Sequence, residues 1–128
     1  MTATKQDFTM FVGTRMTLRL TVTRKSDDSN FTLGQPLRFV IARFSSSGET
    51  PITAASAVLV EKLSANSGEI VVDPEGLGDH ICDVVLNSAD TDNSFVGARY
   101  FQLEHLEGTE ESVLAVGTIT FRPNVENA

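Results

Sequence analysis

Four acidic side chains that could bind a divalent cation stand close together in the second half of the chain. They are Asp73, Glu75, Asp79 and Asp83. Calcium prefers carboxylate oxygens, but a calcium loop needs ligands at alternate positions and a bidentate glutamate at its end. These residues do not follow that spacing, and Asp83 falls inside a predicted strand. We therefore interpret the group as turn residues on a solvated surface, with calcium binding as the alternative.

The chain also contains two histidines, His80 and His105, and one cysteine, Cys82. The histidines are far apart in sequence, each on a predicted strand, with no third metal ligand in sight. A single cysteine excludes an intrachain disulfide and the usual cysteine-rich zinc sites, and Cys82 is most simply a small buried hydrophobe. There is no G-x-S-x-G nucleophile elbow and no glycine-rich phosphate loop. We predict no catalytic residue, no cofactor and no metal, and therefore no enzyme.

Composition narrows the class of protein further. The chain has 128 residues, a formal net charge of -7 and 41% hydrophobic residues, which fits one globular domain over residues 1–128. The acidic balance argues against a nucleic-acid partner, because binding to phosphates needs lysine and arginine. No apolar run approaches the roughly 20 residues of a membrane helix, and no secretory signal is visible. We expect no membrane partner and no small-molecule substrate.

Strict alternation of apolar and polar residues marks the first strong secondary-structure signal, over residues 15–23. Its apolar members are Met16, Leu18, Leu20 and Val22. Successive side chains of a strand point to opposite faces, so these four form one apolar stripe. An isolated strand cannot bury such a stripe, and a second sheet must cover it.

Seven further stretches have the same character, separated by turn residues. With residues 15–23, the predicted strands are 7–12, 37–44, 57–62, 69–72, 80–86, 98–106 and 112–121. The alanine-rich stretch 51–63 is ambiguous, with room for a helical turn before a strand. No other helix is indicated. The spacing predicts an all-β sandwich or barrel.

Part of this pattern resembles the immunoglobulin-like β-sandwich modules of tailed-bacteriophage virions, found in baseplate, tail-fibre and head-decoration proteins. The matching motifs are Asp73-Pro74-Glu75-Gly76, Leu86-Asn87-Ser88-Ala89-Asp90-Thr91, Arg99-Tyr100-Phe101-Gln102-Leu103-Glu104 and Gly117-Thr118-Ile119-Thr120-Phe121-Arg122-Pro123. The resemblance implies an antiparallel immunoglobulin-like β-sandwich of about seven or eight strands. It also implies a non-enzymatic virion part, assembled in the bacterial host cytoplasm, whose partners are other virion proteins and copies of itself.

Within that class, a head-decoration or cement-type subunit on the capsid is the leading hypothesis, and a neck, tail or baseplate adaptor is the alternative. Three apolar loop residues, Phe31, Leu77 and Phe95, are candidate subunit contacts, although each could instead fold back onto the sandwich. We also expect at least one chain end to pack on another subunit.

Two further hypotheses concern surface side chains. The basic residues Arg15, Arg19, Arg24 and Lys25 are explained by cross-strand pairing with carboxylates, with a docking stripe for an acidic neighbour as the alternative. A carbohydrate-binding module is a weaker rival, because sugar platforms need exposed aromatic rings. The chain has no tryptophan and one tyrosine, Tyr100.

Overall fold

The computed structural model describes residues 4–24, 27–34, 36–44, 50–106 and 113–123. They form nine strands: β1 (Thr4–Lys5), β2 (Phe8–Phe11), β3 (Met16–Thr21), β4 (Leu37–Ala42), β5 (Val58–Leu63), β6 (Ile70–Val72), β7 (Ile81–Leu86), β8 (Gly97–His105) and β9 (Val113–Arg122). Single 3-10 turns span Ala55–Ala57, Pro74–Gly76, Ser88–Asp90 and Asn93–Phe95. Both chain ends and the predicted polar hairpin at 107–111 lie outside the described residues. The described part contains no helix long and apolar enough to cross a membrane.

The strands form two sheets, which confirms the all-β prediction. The first sheet has the order β9–β8–β4–β5, with both β1 and β2 paired to the outer side of β9. The second sheet has the order β3–β7–β6. The main hydrophobic core contains residues from both sheets, as expected when two apolar faces cover each other.

The expectation of a wholly antiparallel arrangement is wrong at one edge. The short strands β1 and β2 both run parallel to β9, whereas the other strand pairs are antiparallel. After β2 the chain turns at Gly13, whose φ is 72°, and enters β3 of the second sheet. Strand β2 therefore forms no hairpin within the first sheet and pairs with the last strand alone. The sequence also did not predict β1.

The predicted apolar stripe of β3 lies on the inner face of its sheet, beside the apolar residues of the neighbouring strand β7. Leu18 and Leu20 are fully buried and lie opposite Val84 and Cys82 of β7. The alternation therefore identified the inner face of this sheet. Burial raises the pKa of the Cys82 thiol to about 12, so the thiol stays protonated at neutral pH and behaves as a small apolar group.

Strand β4, which lies between β8 and β5, has buried residues on both faces. Phe39 packs inward against Phe101 of β8, with ring centroids 5.4 Å apart. On the opposite face, Val40 and Ala42 form a second small cluster with Ile52. Residues 50–57 thus cross the outer face of the first sheet before β5 begins. The alanine-rich stretch 51–63, which was ambiguous in the sequence, thus contains a 3-10 turn at Ala55–Ala57 followed by strand β5.

The two ends of the sandwich are closed by different connections. At the upper end, the β3–β4 and β6–β7 connections meet, where the backbone N–H of Leu33 donates to Asp79 O at 2.8 Å. At the lower end, the β2–β3 and β7–β8 connections meet, where the N–H of Gly13 donates to the Thr91 hydroxyl at 2.9 Å. Strand β4 begins after the β3–β4 connection and ends at Ala42, opposite Tyr100 in the first half of β8.

The N-terminal segment is fixed to both sheets at Gln6, between β1 and β2. Its backbone N–H donates to Val116 O at 3.0 Å in the first sheet. Its side-chain Oε1 accepts from the Thr21 N–H of β3 at 2.8 Å in the second. This crossing brings the Gln6 backbone directly over Gly117, where a Cβ would overlap the Gln6 carbonyl and press on the Phe101 ring. Glycine at 117 is therefore a steric requirement.

Gly117→Ala should destabilise the protein by about 2 kcal/mol or more, because overpacking against backbone has no cheap relief. Urea denaturation followed by circular dichroism measures the free energy of unfolding. Gly34→Ala is the matched control, since a Cβ at Gly34 has no atom within 4 Å, and its effect should stay within about 0.5 kcal/mol. Equal effects of the two substitutions would contradict the steric argument.

Asp7 should contribute to the acid sensitivity of the fold. Hydrogen bonds from the Thr118 N–H at 3.0 Å and hydroxyl at 3.1 Å lower the pKa of Asp7 from its usual 3.8. A lowered folded-state pKa stabilises the fold above the unfolded pKa, and that contribution is lost as the pH falls through the folded value. Measured from about pH 5 down to about pH 2, Asp7→Asn should therefore lose less stability than the wild type. An identical acid dependence in the two proteins would refute this role.

Candidate functional site

The most extensive polar arrangement of the described residues lies on the outer face of the first sheet. It contains Arg38 of β4, Glu61 of β5, and Tyr100, Gln102 and Glu104 of β8, here called the polar network. Gln102 and Glu104 are at most 1% exposed. Buried charges are tolerated only when they are paired and hydrogen-bonded, so their partners decide what the network does.

Glu104 is the centre of the network. Its Oε1 accepts from the Arg38 guanidinium at 2.9 Å, and its Oε2 accepts from the Gln102 amide at 2.8 Å. Glu104 Oε2 also accepts from the backbone N–H of Ile52 at 2.9 Å. Each oxygen of this carboxylate is therefore held by at least one donor within hydrogen-bond distance.

Arg38 and Gln102 also bind the segment that contains Ile52 and crosses the outer face of the sheet. Arg38 donates to Ile52 O at 2.5 Å, and Gln102 donates to Thr50 O at 3.1 Å. Arg38 also donates to Glu61 at 2.6 Å, and the Tyr100 hydroxyl donates to Gln102 at 2.7 Å. We call residues 50–54 the strap, because side chains of β4 and β8 hold its backbone against the sheet.

The electrostatics of the network are those of a structural clamp. Burial lowers the pKa of Arg38, but its hydrogen bonds to Glu61 and Glu104 outweigh this effect and raise the pKa overall. Arg38 thus stays charged between two carboxylates. General acid–base catalysis needs a group that exchanges its proton near the working pH. The hydrogen bonds and ion pairs of the polar network instead hold its side chains in the positions that bind the strap.

A second buried ion pair links the first sheet to the β7–β8 connection. Lys62 of β5 is 4% exposed, and its Nζ lies 2.8 Å from Asp90 Oδ2. The same oxygen accepts from the Asn87 N–H at 2.6 Å, which closes the turn after β7. The pair therefore fixes the Leu86–Thr91 motif in place and offers no open coordination position of its own.

The three candidate contact residues have different environments. Phe31 is half-buried, with its ring centroid 5.8 Å from that of His105 and the Arg24 guanidinium 5.3 Å above it. Phe95 is 9% exposed and packs edge-on against Phe121. Leu77 is 47% exposed. Phe31 and Phe95 thus pack on the sandwich, and Leu77 presents most of the free apolar surface among the three.

The structure does not bring together the acidic, histidine and cysteine side chains that were considered as metal ligands in the sequence. Within the described ranges, no group of three or more histidine, cysteine, aspartate or glutamate side chains could hold a metal ion. Arg19 pairs across the strands with Asp83 at 2.8 Å, which confirms the expected cross-strand pairing for this arginine. The acidic residues at 73–79 form an exposed turn between β6 and β7.

The outer face of the first sheet also carries an open groove beside the strap. It has a volume of about 450 Å³ and is lined by Arg43, Phe44, Ala98, Arg99, Tyr100 and Thr118. We call it the arginine groove. Sequence reasoning missed it, because Arg43 and Phe44 follow β4 whereas the other residues come from β8 and β9. The groove combines charged, aromatic and small side chains.

Comparison with known proteins finds no matching family model, no matching curated protein and no matching solved structure. Function must therefore follow from the chain's own geometry. That geometry consists of a clamped strap, an exposed acidic turn and an open groove.

The clamp is testable through Glu104. Glu104→Leu should destabilise the protein by about 3 kcal/mol, because it leaves the Ile52 N–H buried without its acceptor and leaves Arg38 with Glu61 as its one carboxylate partner. Hydrogen exchange should show loss of protection at the Ile52 amide. Glu61→Gln is the control at the exposed end of the network and should cost about 1 kcal/mol or less.

The double variant Arg38→Met/Glu104→Leu separates the ion pair from simple loss of packing. It should cost less than the sum of the two single substitutions, because it leaves no unpaired charge. Strictly additive costs would contradict a clamp formed by this pair.

Proposed function

We propose that the two sheets form an immunoglobulin-like sandwich. The order β3–β7–β6 corresponds to strands B, E and D of that fold, and β9–β8–β4–β5 corresponds to G, F, C and C′ of its variable type. The agreement supports the proposal because it involves both sheets and each of these seven strands. Cys82, the single cysteine, cannot form the disulfide between sheets found in antibody domains.

We further propose that the chain is a structural subunit of a tailed-bacteriophage virion, of the head-decoration or cement type. The observation that carries this proposal is the immunoglobulin-like strand order, because the phage modules that the sequence resembles share that fold. The resembling motifs correspond to β6–β9 and the turns between them. The amide and acidic residues of these motifs on β8, Gln102 and Glu104, bind the strap, and their tyrosine, Tyr100, donates to Gln102.

A binding role suits the described side chains better than catalysis. The buried charged residues Arg38, Lys62 and Glu104 are each committed to contacts within the chain. What stays accessible is a set of rigid surfaces, including the acidic turn and the arginine groove. In this proposal the partners are other virion proteins and copies of the same chain.

Mass spectrometry of purified virions, combined with antibody labelling in electron micrographs, tests the proposal. We expect hundreds of copies per particle and labels over the capsid. A few to a dozen copies with labels on the tail would instead indicate the neck, tail or baseplate adaptor. Absence from purified particles would refute a virion role.

Capsid stability gives a second measurement. Particles lacking the protein should lose DNA at a lower temperature than complete particles, because a decoration subunit bridges capsid neighbours. Added purified protein should restore the original temperature. Particles of equal stability with and without the protein would contradict the cement role while leaving a tail position open.

A further inference from the structure

The arginine groove has unusual electrostatics for this chain. The net charge is -7, and the ion pairs among the described residues use Arg19, Arg38 and Lys62. Neither Arg43 nor Arg99 pairs with a carboxylate in the described ranges. The groove therefore places two guanidinium-bearing residues together on an otherwise acidic protein.

Both arginines are held by main-chain carbonyls and keep further donors. Arg43 Nε donates to Ser56 O at 3.1 Å. Arg99 donates from Nε to Phe95 O at 3.1 Å and from its terminal nitrogen to Ser94 O at 2.9 Å. A guanidinium has five N–H donors, so each has donors left for a ligand. Asp7 is a carboxylate that contacts the lining of the groove, where it accepts hydrogen bonds from Thr118.

An exposed apolar ring completes the groove. Phe44 is 67% exposed, the largest exposed fraction among the large hydrophobic side chains described. The small side chains of Ala98 and Thr118 also line the groove. A ligand that suits this groove has an apolar side chain flanked by carboxylates.

The chain itself carries such a ligand in the turn between β6 and β7, which we call the acidic turn (residues 73–79). Leu77 is 47% exposed and stands between Glu75 and Asp79. The Glu75 side chain is 76% exposed, and its Oε2 lies 3.5 Å from the Arg19 guanidinium of the same chain, a long and solvent-exposed ion pair. Apolar and acidic groups thus project together from one short segment.

The shape of the acidic turn is fixed by the rest of the molecule. Pro74 is buried and anchors it, and Asp73 Oδ1 accepts from the Gly78 N–H at 2.8 Å. Asp73 and Glu75 have φ values of 54° and 56°, a left-handed conformation that is unfavourable for residues other than glycine. A preformed turn loses less conformational entropy on binding than a flexible loop does.

We propose that the acidic turn of one copy docks in the arginine groove of a second copy. Leu77 packs on Phe44, and the carboxylates of Glu75 and Asp79 pair with Arg43 and Arg99. The contact deepens the proposed function by naming the surfaces that join copies of the chain, and its biological role rests on that function.

The positions of the two surfaces determine the kind of assembly. The acidic turn connects two strands of the second sheet, whereas the groove is lined by residues of β8 and β9 and of the segment that follows β4 in the first. The two surfaces share no residue. One copy can therefore use both surfaces at once. Such a head-to-tail contact builds rings or open chains of subunits.

Sedimentation velocity at about 0.15 M salt tests the contact. The wild type should form species larger than a dimer as its concentration rises. Arg43→Glu should remain monomeric, and so should Glu75→Lys/Asp79→Lys. Arg15→Glu, an equal charge change at an exposed site of the other sheet, is the control and should assemble like the wild type. Circular dichroism checks that each variant is folded.

Mixing the two non-assembling variants gives the decisive measurement. Arg43→Glu keeps an intact acidic turn, and Glu75→Lys/Asp79→Lys keeps an intact groove. An equimolar mixture should form species larger than either variant forms alone, because the acidic turn of the first variant meets the intact groove of the second, and the lysine-bearing turn of the second meets the acidic substitution in the groove of the first. Placing all three substitutions in one chain should partly restore self-assembly, because the charge at position 43 is exchanged whereas Arg99 keeps its charge.

Several outcomes would overturn the inference: a wild type that stays monomeric at high concentration, assembly unaffected by these substitutions, or a mixture that stays monomeric. A chain that is present in virions but monomeric in solution would refute this contact and leave the proposed function intact. A chain that assembles as described but is absent from virions would refute the proposed function and leave this contact intact.

Discussion

The packing of two apolar sheet faces against each other is the constraint on which the rest of the structure depends. The stripe of β3 needs a cover, and the aromatic residues of β4 and β8 provide it. Once those faces are joined, most polar and charged side chains of the strands must lie on the outer faces. In the second sheet, Arg19 and Asp83 form an ion pair on the outer face. The first sheet buries its outer polar residues beneath the strap, and Glu104 makes that burial possible.

The same constraint explains which parts of the fold the sequence could predict. Alternation identified the eight longer strands because one face of each is buried, so the pattern carries the information. It could not identify β1, a two-residue strand whose pairing depends on residues more than a hundred positions away. It could not place the strap either, because Arg38 and Glu104 occupy outward positions that normally indicate contact with water. Phe31 and Phe95 were ambiguous for a related reason, since an apolar loop residue looks the same whether it packs inward or outward.

Edge strands offer the usual route for association between β-sandwiches, through main-chain hydrogen bonds to a new strand. In this chain, side chains occupy part of two edges. The Gln6 amide binds the Thr21 N–H on the β3 edge, and Glu69 Oε1 accepts from the Leu63 N–H on the β5 edge at 3.0 Å. Strand addition at those positions would have to displace these groups. Association through side-chain surfaces avoids that cost, which favours the acidic turn and the arginine groove.

Net charge sets a further condition on any contact between copies. Two copies with a charge of -7 each repel at long range, so the attraction between them must come from a local concentration of the opposite sign. At about 0.15 M salt the screening length is about 8 Å, which suppresses repulsion between distant carboxylates more than attraction between groups in contact. Much lower salt restores the repulsion, and about 1 M salt weakens the contact pairs as well. A contact between the acidic turn and the arginine groove should therefore be strongest at intermediate ionic strength, whereas a purely apolar contact would strengthen steadily with added salt.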